Sequence, residues 1–254
     1  WTPNKNITVN SALYGTFGKT GNSNLNWNDA QDPRPDYYKY LPSYTATIDP
    51  TASAHATAAW GSDQSVSQIN WDGLYNANYN NTFTQNNIDG IAGNSLEFKR
   101  SRYIMEEYRS DPLQLGFNSI YTRRLSDEML FSGGINIDRY VSRNYRKMLD
   151  LMGGDYWLDV NQFAEQSFAD PNISQNNIDL PNHLVAEGET FGYDYNMHVN
   201  TQTVFGQIKD QGKKIDWYAA LELSHTNFFR EGNMRNGQFP NESFGVGQKH
   251  NYIN

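Results

Sequence analysis

Five segments of this chain alternate apolar and polar residues over ten or more positions, and two very different kinds of connection join them. The segments are residues 6–18, 101–124 (clearest over 113–124), 129–141, 191–209 and 215–231. In the first, Ile7, Val9, Leu13 and Phe17 fall on one face and Thr8, Asn10, Tyr14 and Thr16 on the other. The second sets Leu113, Leu115, Phe117 and Tyr121 against Gln114, Gly116, Asn118 and Thr122, and the third sets Phe131, Ile135 and Ile137 against Ser132, Asn136 and Asp138. In the fourth, Phe191, Tyr193, Tyr195, Met197, Val199 and Phe205 oppose Asp194, Asn196, His198, Asn200 and Gln202. The last opposes Ile215, Trp217, Leu221 and Leu223 to Asp216, Glu222 and Ser224. A period of two specifies a strand with two unlike faces, and these strands are longer than the five or six residues usual in globular proteins.

Two connections are hairpin-sized, LSDE (125–128) and DQGKK (210–214), while the others, about 19–100 and 142–190, are very long. Loops of that length argue against a simple soluble sandwich. Short turns at one end, long loops at the other and strands with one apolar and one polar face together predict an all-β, antiparallel transmembrane β-barrel. Bacterial barrels have even strand numbers, and an open sheet edge is not tolerated in lipid. Five strands therefore lead us to expect a fragment of a larger barrel, with WTPNKN as a turn into the first strand and NESFGVGQKHNYIN as an unfinished loop.

Composition narrows the alternatives. Charged residues are 19% and hydrophobic residues 37%, but aromatics reach 14%, which is unlike a disordered chain. A net charge of -8 with scattered basic residues, Arg123-Arg124 and Lys213-Lys214 being the longest runs, excludes a nucleic-acid partner. With no cysteine there is neither a disulfide framework nor a thiolate metal site. There is no apolar run long enough for a transmembrane helix. The chain starts at Trp1 without a signal-like segment, so it is expected to be a processed or internal piece.

Catalytic motifs are missing: no G-x-S-x-G, H-E-x-x-H, P-loop or dinucleotide fingerprint occurs. His55, His183, His198, His225 and His250 are dispersed without ligand spacing, so no metal and no cofactor is expected. Adjacent carboxylates Glu106-Glu107 point to opposite faces of a strand and make no acid/base dyad. Asp159 with Glu165 is a more distant carboxylate pair, and Asp29, Asp32 and Asp36 form an acidic group without EF-hand spacing. The sequence reads as a non-enzyme.

Several stretches, taken together, resemble one family: YGTFGKTGNSNLNW, DPRPDYYKYLPSY, INWDGLY, SRYIMEEYRSD, KMLDLMGGDYWLDVNQFAE, GYDYNMH and FFREGNMRNG. They are similar to the barrel portion of TonB-dependent outer-membrane receptors, in the SusC-like branch of glycan-importing, lipoprotein-capped transporters. The resemblance runs from Asn4 to about Gly247, and DPRPDYYKYLPSY is its most specific element. It implies a barrel of about 22 strands around a plug, here without the plug, working in the outer membrane to import a glycan, peptide or chelate. The implied partners are outer-membrane lipid, the TonB complex and a surface lipoprotein lid or other envelope subunits. Two other roles stay open: a structural barrel subunit of an envelope assembly or secretion complex, and a soluble secreted carbohydrate-binding β protein.

If the short turns are periplasmic, the long loops are extracellular. They carry Tyr37, Tyr38, Tyr40 and Tyr44 among three prolines, then Trp60, Trp71 and Tyr75, and in the second loop Tyr156 and Trp157. Tyr and Trp offer large contact area with a polar tip, so Tyr37, Tyr38, Tyr40, Tyr44, Trp71, Tyr75, Tyr156 and Trp157 are the candidate ligand- or partner-binding residues. Packing of loop against loop is the alternative use of the same rings.

Overall fold

The computed structural model describes residues 1–212 and 214–254; the turn expected over 210–214 lies partly outside the described residues. Its strands are β1 (Ile7–Phe17), β2 (Thr20–Trp27), β3 (Thr82–Gln85), β4 (Leu96–Lys99), β5 (Tyr103–Arg124), β6 (Met129–Asp150), β7 (Trp157–Leu158), β8 (Leu184–Val185), β9 (Thr190–Gln211), β10 (Asp216–Gly232), β11 (Gly245–Val246) and β12 (His250–Ile253). Five helices, α1 (Pro42–Thr45), α2 (Pro50–Ser62), α3 (Gln64–Ser67), α4 (Trp71–Tyr79) and α5 (Gln162–Ser167), lie between them. The fold is mostly β, with a large antiparallel sheet that is not closed into a barrel.

Eight strands make the main sheet, in the order β1-β5-β6-β9-β10-β11, with β2 also on β5 and β12 also on β10. The chain forms two compact units: residues 1–22, 108–146 and 193–254, and residues 23–107 and 147–192.

In the first unit β1 pairs antiparallel with β5 from Ile7↔Arg123 to Phe17↔Leu113, and β10 pairs with β9 from Asp216↔Gln211 to Gly232↔Tyr195. Side-chain contacts assign the two faces. Tyr14 lies across Gly116, where any Cβ would collide with its ring, and its hydroxyl donates to Asp138 Oδ2 (2.6 Å), as does Gln114 Nε2 (2.9 Å). The Phe205 ring covers Gly134 in the same way. Even-numbered residues of β1, β5 and β6 and odd-numbered residues of β9 therefore share one face, which is predominantly polar.

Opposite lies the apolar face. On β1 it carries Leu13 and Phe17, 83% and 86% exposed. Exposed Leu113 and Leu115 on β5 and Ile135 and Ile137 on β6 continue it. Phe131 lies beside Gly206, which brings Val204 and Ile208 of β9 onto this face, paired with Leu223 and Ala219 of β10; Leu221 there is 80% exposed. The apolar band is bounded by charge. Beyond it, on the same face, come Arg109–Asp111 (3.0 Å), Arg143–Asp194 (2.7 Å) and His198–Glu231 (3.0 Å). At the turn end Trp217 Nε1 donates to Asp210 (3.0 Å). From Leu113 to Tyr121 the band runs about 27 Å along the strand at roughly 3.4 Å per residue.

β9 departs from its sequence expectation. Phe205, expected with the apolar face, pairs with Glu222 and stands on the polar face. Alternation in a strand is strict, so the odd-numbered aromatics Tyr193, Tyr195 and Phe205 and the even-numbered Val204 and Ile208 point to opposite sides. Tyr193 and Tyr195 are held instead by guanidinium groups, Arg146 lying 5.6 Å from the Tyr193 ring centre and Arg230 4.6 Å from that of Tyr195.

The second unit fills what were read as the long loops 19–100 and 142–190. The strand read as 129–141 runs on to Asp150, and β2 and four of the helices lie within 19–100. Asp49 caps α2 by accepting from the amides of Thr51 and Ala52, with Pro50 at the first helical position. Asn70 caps α4, and Asn161 caps α5. The unit has its own core: Ile104, Met148, Leu151, Trp157, Val185 and Phe191 form one cluster, and Leu74, Tyr103 and Met152 a second. Asn78 is fully buried; its Nδ2 donates to the carbonyls of Tyr103, Leu151 and Met152, and its Oδ1 accepts from the amides of Arg102 and Tyr103. One side chain thus satisfies five backbone groups that burial removes from water.

Candidate functional site

The Pro-Tyr segment folds into a compact aromatic knot. Pro33, Pro35 and Pro42 restrict the backbone, and Pro42 opens α1 directly after a 3-10 turn at Tyr38–Tyr40. Asp32 anchors it: its Oδ1 accepts from the Arg34 amide (3.0 Å) and Nε (2.9 Å), its Oδ2 pairs with Arg34 Nη2, and its carbonyl accepts from the Tyr40 hydroxyl (3.1 Å). The Arg34 hydrogen bonds hold the Asp32 carboxyl below its ordinary range and raise Arg34 in return. Arg34 also lies 5.2 Å from the Trp27 ring centre.

Four of the candidate tyrosines are brought together here. Tyr37 meets Tyr38 and Tyr40 edge-on at 4.8 and 5.2 Å, and Tyr38 meets Tyr44 at 5.3 Å. Beside them is a cavity of about 490 Å³ lined by Trp27, Gln31, Asp32, Tyr37 and Tyr40. Partial desolvation raises the Tyr37 phenol, and the neighbouring phenol of Tyr37 raises Lys39. Both uses of the rings coexist: they pack on one another, yet Tyr38, Tyr40 and Tyr44 remain exposed.

The other candidates are placed differently. Trp71 and Tyr75 on α4 are exposed, and no ring contact joins them to the knot among the described residues. The Tyr75 hydroxyl donates to Asp150 (3.2 Å), whose charge raises the phenol. Tyr156 and Trp157 are not binding residues on an exposed loop: at 3% and 5% exposure they are core residues, Tyr156 packing with Leu158, Val160 and Leu184. They are buried because β7 and β8 pair and draw this segment inward. Trp60 on α2 is half-buried.

A second cleft, of about 440 Å³, was not foreseen in the sequence. Its walls come from β3, the segment through Arg100, and residues 158–182. Phe83 and Phe168 are exposed on it, and Gln85, Gln175 and Asn182 supply amides. Its residues are far apart in the sequence, and only the polar TFTQNN run hints at it.

Asp159 is buried and accepts from Asn176 Nδ2 (2.7 Å) and the Gly192 amide (3.0 Å), which is a structural role. Asp29 pairs with Arg102 at 3.7 Å and Asp32 with Arg34. Among the described residues no helix is long and apolar enough to cross a membrane, which says nothing about strands.

In comparisons with known proteins no family model matches the chain, and neither a curated protein nor a solved structure does.

Proposed function

We propose that this chain is part of the barrel of a TonB-dependent outer-membrane receptor that imports a nutrient, binding it through the loop unit. One observation carries the reading: the first unit exposes a mostly apolar band on one face, interrupted by the Ser11–Ser119 pair and by glycines, while the opposite face is predominantly polar. Monomeric soluble proteins rarely expose such a patch. A band about 27 Å long by strand rise, edged by ion pairs and by Trp217, spans about 19–22 Å of height at the roughly 35–45° tilt of barrel strands, close to the apolar belt of a barrel wall, about 25 Å tall with aromatic borders. The polar face, with Tyr14, Gln114, Asp138 and Glu222, suits a hydrated lumen. Two tests follow. The protein stays with carbonate-washed outer membranes and leaves them only in detergent, and uptake of its nutrient stops when TonB is deleted. Recovery as a soluble protein without detergent would overturn the membrane assignment, and uptake indifferent to TonB would overturn the transport assignment.

A further inference from the structure

The 440 Å³ cleft of the second unit holds one cation and one anion that do not satisfy each other. Arg100 and Glu165 both line it, and neither has an ion pair or side-chain hydrogen bond among the described residues. Arg100 is half-buried, its guanidinium 5.4 Å from the Phe83 ring centre, while Glu165 is exposed on α5. A half-buried cation loses part of its hydration, which a ligand carboxylate would restore with two parallel hydrogen bonds.

The frame around these charges is built in advance. Gln175, 4% exposed, donates from Nε2 to the Pro171 carbonyl (3.2 Å) and to Asn182 Oδ1 (3.2 Å), and its Oε1 accepts from the Asn182 amide (2.8 Å). Asn87 and Asn182 hold left-handed backbone at φ 51° and 58°, a conformation that Asn tolerates better than most residues. Exposed Phe83 and Phe168 add apolar wall. A preformed pocket loses less entropy on binding, and this one has the size of small-ligand sites.

We infer that this cleft binds a short peptide with free termini, Arg100 taking the C-terminal carboxylate and Glu165 the N-terminal ammonium. A neutral sugar leaves both charges unanswered, and a simple anion meets Glu165 as well as Arg100. A zwitterion with its charges at opposite ends satisfies both walls and gains specificity from the pairing. The inference deepens the import reading by naming the cargo class and rests on it for physiological meaning, but the binding itself is measured without transport.

The experiment is titration calorimetry of the detergent-solubilised protein with trialanine, its N-acetyl and C-amide forms, and maltotriose. We expect trialanine to bind, each cap to weaken it about tenfold or more, the loss of one charge-assisted contact, and maltotriose not to compete. Arg100→Gln should abolish discrimination between acid and amide, and the exposed Glu165→Gln discrimination between free and acetylated amine. The Glu165 variant keeps the test valid if Arg100→Gln does not fold. No binding of trialanine to folded wild-type protein, caps without effect, or unchanged discrimination in Glu165→Gln would each overturn the inference. These results leave the carbonate-wash test untouched, so the two readings fail separately.

Discussion

Leu221 and Ala220 are adjacent on β10, are both exposed, and point to opposite faces. Replacing each with Arg gives two perturbations that differ in little but the medium the new charge enters. Leu221 sits in mid-band, paired with Gly206 and flanked by the Leu223–Val204 and Ala219–Ile208 pairs. Lipid at this depth charges about 2 to 4 kcal/mol for Arg, equivalent to about 30- to 900-fold in the folding equilibrium at 1.36 kcal/mol per decade. Ala220 pairs with Gln207, and a charge on the hydrated side costs within about 0.5 kcal/mol, as surface substitutions do. The assay is guanidinium-driven unfolding from lipid vesicles followed by tryptophan fluorescence. Equal, small costs for Leu221→Arg and Ala220→Arg would refute the lipid-facing reading of the odd face of β10.

Other expectations concern the second unit. Asn78→Leu removes the acceptor of two buried amides and the donor of three carbonyls; at about 1–3 kcal/mol per orphaned group, thermal melting should show a loss above about 3 kcal/mol. Asp32 is depressed by Arg34 in the folded state, so its contribution is present above the ordinary carboxylate range near pH 4 and is lost as pH falls through its lowered value. An acid titration of Trp27 fluorescence should therefore show a step that Arg34→Gln moves to higher pH. The buried Tyr156 hydroxyl has no hydrogen-bond partner among the described residues, and burial raises the phenol. Its contribution is complete below about pH 10 and is lost as pH rises through the raised value. Tyr156→Phe should leave neutral-pH stability within about 0.5 kcal/mol of wild type or improve it, and should remove that alkaline component from the melting profile.

How much of this was legible depends on which force set each element. β1, β5 and β10 appear in the sequence because one face is apolar along most of the band, and period two shows the contrast directly. β2, TGNSNLNW, lacks that contrast and is rich in residues depleted from strands; it is a strand through pairing with β5. The extension of β6 through SRNYRKMLD looked like loop because it is charged. Those charges are matched across strands instead, Arg143 by Asp194 and the Tyr145 hydroxyl by Asp111 (3.1 Å). α2 carries a helix-start signal, Asp49-Pro50 ahead of an Ala-rich run, but the tract has no apolar stripe and lies inside the 19–100 stretch expected as loop. Of the candidate site, the tyrosine knot was legible because its rings are close in sequence. The burial of Tyr156 and Trp157 was not, since it depends on β7–β8 pairing, and neither was the Arg100–Glu165 cleft, whose walls meet only in the folded chain.

The absence of cysteine opens the most direct test of the central claim. Single cysteines placed one at a time from Trp217 to Ser224, in protein embedded in vesicles, report their surroundings through a polarity-sensitive thiol probe quenched either by brominated lipid or by aqueous iodide. The account predicts strict alternation: positions 217, 219, 221 and 223 quenched by lipid, and 218, 220, 222 and 224 by iodide. Iodide quenching at every position would place both faces in water and contradict it.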